Sequence, residues 1–588
     1  MKQFISRRSF MKAAGVSAAA MALAAGVGTQ AADACLPFLK KAPVTILYTN
    51  DVHTYIDNAS PEMTYASVAA LKQSYQAAGQ EVLLVDAGDH VQGTAYGSMD
   101  KGASIIQLMN AAGYDLATFG NHEFDYGMDR AKEIVEEADF PYIACNFIDL
   151  ETNKKVVPAI RRFFVGGMSI AFVGVMTPET ITKSTPACFM DETQSKYLYN
   201  IEGGEDGQAL YDSVQKAINQ ARILSDYVIG LGHLGVDASS SPWTSREVIA
   251  HTTGFDAFID GHSHTELPYE EVKDASGKTV VLTQTGNYLQ NIGRMTLGTD
   301  GTITSELISS FDGRDGTVEA MQADWIDSVD DMLGEKIAYA DINFYINDPN
   351  KGNRLIRSEE TNLGDFVADG IYCYFNEIEE LNCDIAIMNG GGIRADEYAG
   401  YWSFKTCKEI SPFGNVACLM EVTGRQIQDA LEFGARYAGS GQENGGFLQV
   451  AGASYEIHTS VPNTVPTDEK GVWAGSATGT PRVQNVRIYN KQTGVYEPLD
   501  PNRTYAMAGM NYTLRNLGDG FAMFDGAKLI KDYVSEDYLV MASYAMMFGG
   551  VDAEGLGHLN SANSPLADYP GYLLHYENPR GAGRIVLR

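Results

Sequence analysis

The chain has 588 residues, 45% hydrophobic and 20% charged, which is too long for one ordinary core and too apolar for a disordered chain. Its formal net charge of -32 leaves no general footprint for a nucleic-acid duplex or an anionic membrane, so a phosphate ligand needs a local site whose metals or arginines reverse the field. The seven cysteines lack the C-x-x-C spacing of a thiolate metal site. Cys373 with Cys383, or Cys407 with Cys418, are candidate pairs after export, and isolated buried thiols are the expectation for most of the seven.

The chain opens on a leader. Residues 6–12 read Ser-Arg-Arg-Ser-Phe-Met-Lys, an Ala-rich apolar stretch runs from Ala13 to Val27, and small residues follow from Thr29 to Ala34. The pattern resembles a twin-arginine export signal over residues 1–34. It implies the twin-arginine export machinery as a partner and the periplasm or cell surface as destination. Cys35 follows Ala-Asp-Ala, a poor lipobox, so a lipid anchor there is not favoured. The leader is only mildly hydrophobic, and no other run approaches the ~20 apolar residues that span a bilayer, so no stable membrane span is expected.

Five apolar runs then share one design. Val44–Tyr48 leads into Asn50-Asp51-Val52-His53, Val82–Val85 into Asp86-Ala87-Gly88-Asp89, and Tyr114–Phe119 into Gly120-Asn121-His122-Glu123. Tyr227–Leu231 leads into Gly232-His233, and Phe255–Ile259 into Asp260-Gly261-His262-Ser263-His264. Each run has strand length and composition and ends in residues of metal-ligand type. Between them, Tyr65, Val68, Ala69, Leu71, Lys72 and Tyr75 trace a helix, as do Ala209, Val214, Ala217, Ile218, Ala221 and Leu224. Strands alternating with helices predict an α/β layered fold, in which functional groups collect at the carboxyl ends of strands. A lone Asp after a strand is usually a turn residue and a lone His usually structural. The ordered set is much harder to produce by chance. Two divalent metals ~3.5–4 Å apart need a shared carboxylate, and carboxylate, imidazole and amide oxygen suit Zn, Mn or Fe.

These blocks resemble the calcineurin-like metallophosphoesterases, and Gly120-Asn121-His122-Glu123-Phe124-Asp125 resembles the branch holding the 5'-nucleotidases, UDP-sugar hydrolases and 2',3'-cyclic phosphodiesterases. The resemblance implies two divalent metal ions, one held by Asp51, His53, Asp89 and His264, the other by Asp89, Asn121, His233 and His262, with Asp89 as the bridge. It implies His122 as the catalytic histidine at the phosphoryl group and Asp125 as the carboxylate that orients it. Characterised nucleotidases often carry Gln or Asn where His264 stands. His251 matches no block and is expected to be structural.

Val318, Met321, Trp325, Val329, Met332 and Leu333 follow helical spacing in an acidic stretch and predict one amphipathic helix between two domains. Beyond it, Arg357, the turn Asn389-Gly390-Gly391-Gly392-Ile393-Arg394, Pro412-Phe413-Gly414-Asn415 and Gly518-Asp519-Gly520 are of recognition type: glycines admit a ligand to the backbone, Arg forks grip phosphate and aromatics clamp a base. All four match the C-terminal domain of the 5'-nucleotidase family in order. The resemblance implies Arg357, Arg394 and Asn389 at phosphate or ribose, Phe413 and Tyr512 around the base, Asn415 at the base edge and Asp519 on the ribose hydroxyls. Tyr512 lies seven residues before Asp519, one more than usual, and Thr513 holds the usual place.

The expectation is thus a signal peptide (1–34), a layered β-sandwich metallophosphoesterase domain flanked by helices (43–312), a linker helix (313–342) and an α/β nucleotide-recognition domain (343–588). The expected activity is hydrolysis of nucleotides or other small phosphoesters by metal-activated hydroxide. A 2',3'-cyclic nucleotide phosphodiesterase or UDP-sugar hydrolase is the alternative within enzymes. A nucleotide-binding surface protein that has lost the reaction is the alternative outside them.

Overall fold

The computed structural model describes residues 41–56, 63–184, 186–191, 196–531 and 534–588. The expected signal peptide, with Arg7 and Arg8, and Cys35 lie outside the described residues.

Two sheets stack face to face in the first half. Six strands matter most for the site: β1 (Val44–Thr49), β2 (Glu81–Asp86), β3 (Leu116–Ala117), β4 (Met168–Met176), β5 (Tyr227–His233) and β6 (Ala257–Ile259). The first sheet runs Ile303–Ile308, Ile292–Leu297, β1, β2, β3, and the second Glu266–Lys273, Thr279–Thr285, β6, β5, β4, Ile160–Val165. β1, β2 and β3 are mutually parallel, as are β4, β5, β6 and Thr279–Thr285, while the outer strands pair antiparallel. The two-residue period of a strand sorts the side chains. Val44, Ile46 and Tyr48 of β1 meet Ile170 and Phe172 of β4 and Ile229 and Leu231 of β5 between the sheets.

Leu47, Val82 and Leu84 face the other way, onto helices α1 (Tyr65–Ala77), α2 (Ala103–Ala112) and α3 (Met128–Glu137). Val173 and Val228 face α4 (Gln208–Arg222) and α5 (Ser245–His251). With both faces covered, β1 is buried along its whole length. Truncating a ring such as Phe172 to alanine in this layer would cost about 3–5 kcal/mol.

Three expectations about strands and helices need correction, and two more follow for the second half. Only Leu116–Ala117 of the expected strand Tyr114–Phe119 pairs with β2 as strand, and Ala117 is bridged to Tyr142 on its other side. Leu224 is 70% exposed, because α4 stops at Arg222, whose guanidinium turns to the Gly254 carbonyl and Asp256. The inter-domain helix α6 (Gly316–Leu333) packs on α1 and α2 through Val318 and Val329, while Met332 is 52% exposed.

The strand Lys336–Ala340 already pairs with Gly400–Ser403 and Gly557–Leu559, so the sheets of the second half begin inside the expected linker. Its main sheet runs Leu448–Ala451, Ile385–Asn389, Thr504–Met510, Ala417–Thr423, Lys528–Lys531, with hydrophobic clusters on both faces. Cys373, Cys383, Cys407 and Cys418 are all buried and make no disulfide with one another, so neither candidate pair forms.

Candidate active site

The parallel strands bring their carboxyl ends to one edge, and the ligand-type residues follow there. The backbone is strained at these positions: Asp51, His53, Asp89, His262 and His264 all have positive φ, between 49° and 81°. Non-glycine residues adopt this region at a cost and cluster at functional sites. Two glycines give room. A Cβ on Gly120 would lie 2.1 Å from Asp89 Oδ1, and one on Gly261 would lie 2.8 Å from His233 Nδ1 and 2.9 Å from Asp51 Oδ2.

Three groups of potential ligand atoms result: Asp51, His53 and His264; His53, Asp89 and His122; and Asp89, His233 and His262, each group within 4.8 Å. His53 Nε2 and His264 Nε2 face each other at 3.1 Å, with Asp51 Oδ1 3.4 Å from the latter. Asp89 Oδ2 lies 3.1 Å from His233 Nε2 and 3.8 Å from His53 Nε2, and so stands between the two ends of the cluster. Asn121 Oδ1 lies 2.9 Å from His262 Nδ1. All seven expected ligands are therefore brought together.

The donor set suits a metal. His233 Nε2 is buried and makes no well-formed hydrogen bond; the Asp89 carboxylate 3.1 Å away is itself a proposed ligand, so the two atoms converge on one place. His233 Nδ1 is 2.7 Å from the Ala87 carbonyl, which leaves Nε2 as the free donor atom.

Glu123 explains the Gly-Asn-His-Glu block without being a ligand. Fully buried, it accepts from the backbone amides of Gly120 (2.6 Å), Asp89 (2.9 Å) and His90 (2.8 Å), and so clamps the β2 loop to the β3 loop. The single turn His122–Phe124 places His122 Nδ1 2.5 Å from Asp125 Oδ2. Burial works against charge on His122, but the Asp125 and Asp89 carboxylates outweigh it and hold its pKa above the ordinary histidine value.

The second half closes over this edge and leaves a cavity of about 660 Å³. Asp89, Asn121, His122, Asp125, His262 and His264 line one side, while Asp51, His53 and His233 sit behind them. All seven expected recognition residues, Arg357, Asn389, Arg394, Phe413, Asn415, Tyr512 and Asp519, line the cavity as well. The Phe413 ring lies 6.0 Å from the His122 ring, and the Arg394 guanidinium 5.7 Å from the Phe413 centroid. Asn389 donates to Asp519 at 3.2 Å. Thr513 is only 2% exposed, so Tyr512 is the cavity aromatic, although its hydroxyl is engaged with the backbone. Burial, then Arg354 and Arg394, press the pKa of Arg357 down to about 9. Arginines crowded in this way mark a place for an anion.

Residues 342–526 match the family model described as 5'-nucleotidase, C-terminal domain, residues 39–291 that of bacterial capsule synthesis protein PGA_cap, and residues 5–24 the twin-arginine translocation pathway signal sequence. The first two matches fall on different halves of the chain, and relatives that span both halves join them. The 5'-nucleotidase of Diplobatis ommata is 27% identical over 580 residues, which cover 89% of this chain and 91% of that protein. The chain is similar to the 5'-nucleotidases along nearly its whole length, with their C-terminal domain matched in its second half. It is accordingly a metal-dependent phosphoric ester hydrolase, and it carries a signal for export across the membrane.

Another relative, the trifunctional nucleotide phosphoesterase YfkN of Bacillus subtilis, is 28% identical over 552 residues, 86% of this chain but 34% of that protein. The 5'-nucleotidase precursor from Thermus thermophilus shares the fold, with a TM-score of 0.72 at 23% identity, covering 93% of this chain and 99% of that one. Among the described residues no helix is long and apolar enough to cross a membrane.

Within this 5'-nucleotidase fold, sequence reasoning missed Arg354, Glu443 and Glu179, which also line the cavity. Arg354 stands three residues before Arg357, and both meet Glu443, at 3.3 and 3.6 Å. Glu179 follows β4 in Thr177-Pro178-Glu179, a strand end like the other five that carries no histidine or aspartate to flag it.

Proposed function

We propose that the protein is an exported two-metal phosphoesterase that releases phosphate from nucleotides, a 5'-nucleotidase in action, at the cell surface or in the periplasm. The observation that carries this reading is one cavity with the His and Asp cluster on one wall and Arg357, Arg394, Phe413 and Asp519 on the other. Asp51, His53, Asp89 and His264 would hold one metal, and Asp89, Asn121, His233 and His262 the second. Zn, Mn or Fe suits these nitrogen and oxygen donors. Bound there, the metals supply Lewis acidity toward a phosphoryl oxygen and a nucleophilic water at neutral pH.

The chain's own residues do the remaining work. Arg357 and Arg394 neutralise phosphate charge, with Arg354 beside them. His122 gives Nδ1–H to Asp125, so its Nε2 is the nitrogen left for the phosphoryl group, where a protonated imidazole stabilises growing negative charge. Phe413 offers its ring to the base, Asn415 reaches the base edge, and Asp519, steadied by Asn389, accepts from ribose hydroxyls. The phosphorus–oxygen ester bond breaks, and nucleoside and phosphate leave.

A panel of nucleoside 5'-monophosphates, 2',3'-cyclic nucleotides and UDP-sugars tests this on metal-replete protein. The 5'-monophosphates should show the highest kcat/KM. A higher value for either other class would reassign the substrate, and no hydrolysis in the panel would remove the reading.

A further inference from the structure

The histidines of the proposed metal cluster are held from behind: His53, His233 and His264 turn Nε2 to the site, His264 with Nδ1 3.0 Å from the Asn287 amide nitrogen, and His262 turns Nε2 away from it. His53 Nδ1 lies 2.9 Å from the Gln92 carbonyl, and His233 Nδ1 lies 2.7 Å from the Ala87 carbonyl. A carbonyl only accepts, so both Nδ1 atoms carry the proton and both rings turn Nε2 to the site. His262 is reversed. Its Nδ1 converges with Asn121 Oδ1 at 2.9 Å, and its Nε2 points away, 3.1 Å from Glu179 Oε2. A carboxylate also only accepts, which places a proton on Nε2; Asn121 Oδ1 only accepts too, but it is itself a proposed metal ligand, so Nδ1 and Oδ1 converge on the place of one ion and the Nδ1 lone pair is left for it.

Glu179 is placed for this by the fold. β4 runs parallel to β5, so its carboxyl end reaches the same edge as the strand that carries His233. The side chain is 14% exposed and also accepts from Ser240 Oγ at 2.8 Å. Its backbone carbonyl receives the amides of Thr182 (2.9 Å) and Lys183 (2.7 Å), so main chain and side chain are both anchored. His262 itself has φ of 81°, and its amide donates to Asp51 at 3.0 Å. Ring, backbone and partner are fixed independently.

We propose that Glu179 is the positioning residue of the second metal site: it takes the Nε2 proton of His262, fixes that ring, and makes Nδ1 the ligand atom. The inference rests on the two-metal reading above. Partners of this kind typically govern metal affinity by about 10- to 100-fold. The glutamate does not touch the reacting atoms, and its effect is read in metal binding.

The test titrates the metal-free mature protein with Mn²⁺ by calorimetry, beside thermal melts of the metal-free forms. Wild type should take up two ions. Glu179→Ala should bind one as wild type does and the other about 10- to 100-fold more weakly. Glu179→Gln, whose amide oxygen accepts the same proton, should restore most of the loss. If the alanine variant does not fold, Glu179→Met fills the space without an acceptor and makes the same comparison. Two wild-type-like sites in Glu179→Ala or Glu179→Met overturn the inference alone. So does a Glu179→Gln as weak as either, because charge and not the acceptor would then matter, and so does equal weakening of both ions. A wild-type protein that binds fewer than two ions overturns the two-metal reading and this inference with it.

Discussion

The hydroxyl of Tyr512 lies 3.2 Å from the backbone carbonyl of Lys183, so a residue of the second half is tied to the first at the wall of the cavity. The Thr182 carbonyl is a second acceptor at 3.3 Å, and the same hydroxyl accepts from the Asp519 amide at 3.2 Å. Lys470 makes a parallel contact with Asn200 at 2.9 Å. Tyr512→Phe keeps the ring and removes the tie, a net loss of about 0.5–1.5 kcal/mol, or a factor of about 2–10 toward open arrangements. Paired spin labels on the two halves should report a longer mean distance in the variant. Unchanged distances would mean that the bond does not hold the halves together.

Phe413 is positioned to separate recognition from chemistry. Because its ring lies 6.0 Å from His122, an aryl phosphate would still touch it, so the useful control is a phosphate ester without a ring, such as glycerol phosphate. Phe413→Ala should cost nucleotide hydrolysis about 1–3 kcal/mol in kcat/KM, roughly 5- to 150-fold, and leave glycerol phosphate nearly unchanged. His122→Ala should lower both by about 100- to 1,000-fold. Equal losses on both substrates in Phe413→Ala would remove the ring from base recognition.

Much of this arrangement is legible in the sequence, for a physical reason. Parallel strands that end at one edge turn a linear series of Asp51, Asp89, Asn121, His233 and His262 into a cluster, and strand-length apolar runs make those ends visible. The Asn389, Phe413 and Asp519 blocks are legible only through their family resemblance, since a glycine turn followed by Arg is ordinary by itself. Contacts set by tertiary packing are not legible. Thr-Pro-Glu at Glu179 reads as the start of a helix, which it also is, and nothing local shows His262 opposite. Glu123 looks like a ligand in the block and proves to be the clamp for three amides. Leu224 fits the helical period, yet the helix ends two residues earlier.

Asp537 gives the fold beneath Asn415 a pH dependence. Its carboxylate accepts from the Asn415 amide at 3.1 Å, and burial pushes its pKa from an ordinary 3.8 up to about 7, against the pull of Lys408. A carboxyl whose folded pKa is raised contributes stability that is complete below the unfolded value and is lost as pH rises through the folded one. The loss therefore falls between about pH 4 and pH 7. Thermal melts of wild type and Asp537→Asn should differ in slope across that window, with the variant gaining relative to wild type as pH rises. Parallel curves would show that Asp537 ionises freely.

The leader should be read by its arginine pair, consistent with the match of residues 5–24 to the twin-arginine signal. Replacing Arg7 and Arg8 with Lys should leave folded precursor inside the cell, measured by fractionation and immunoblotting. Normal export of the double variant would assign another route.

In the proposed site Asp89 bridges two metals at the strand ends. Anomalous diffraction from crystals of metal-replete protein, collected at the absorption edge of the bound metal, tests it most directly. Two peaks about 3.5–4 Å apart are expected. One should lie among Asp51, His53, Asp89 and His264, and the other among Asp89, Asn121, His233 and His262, with the Asp89 carboxylate touching both. A single peak, or two peaks that do not share Asp89, would contradict it.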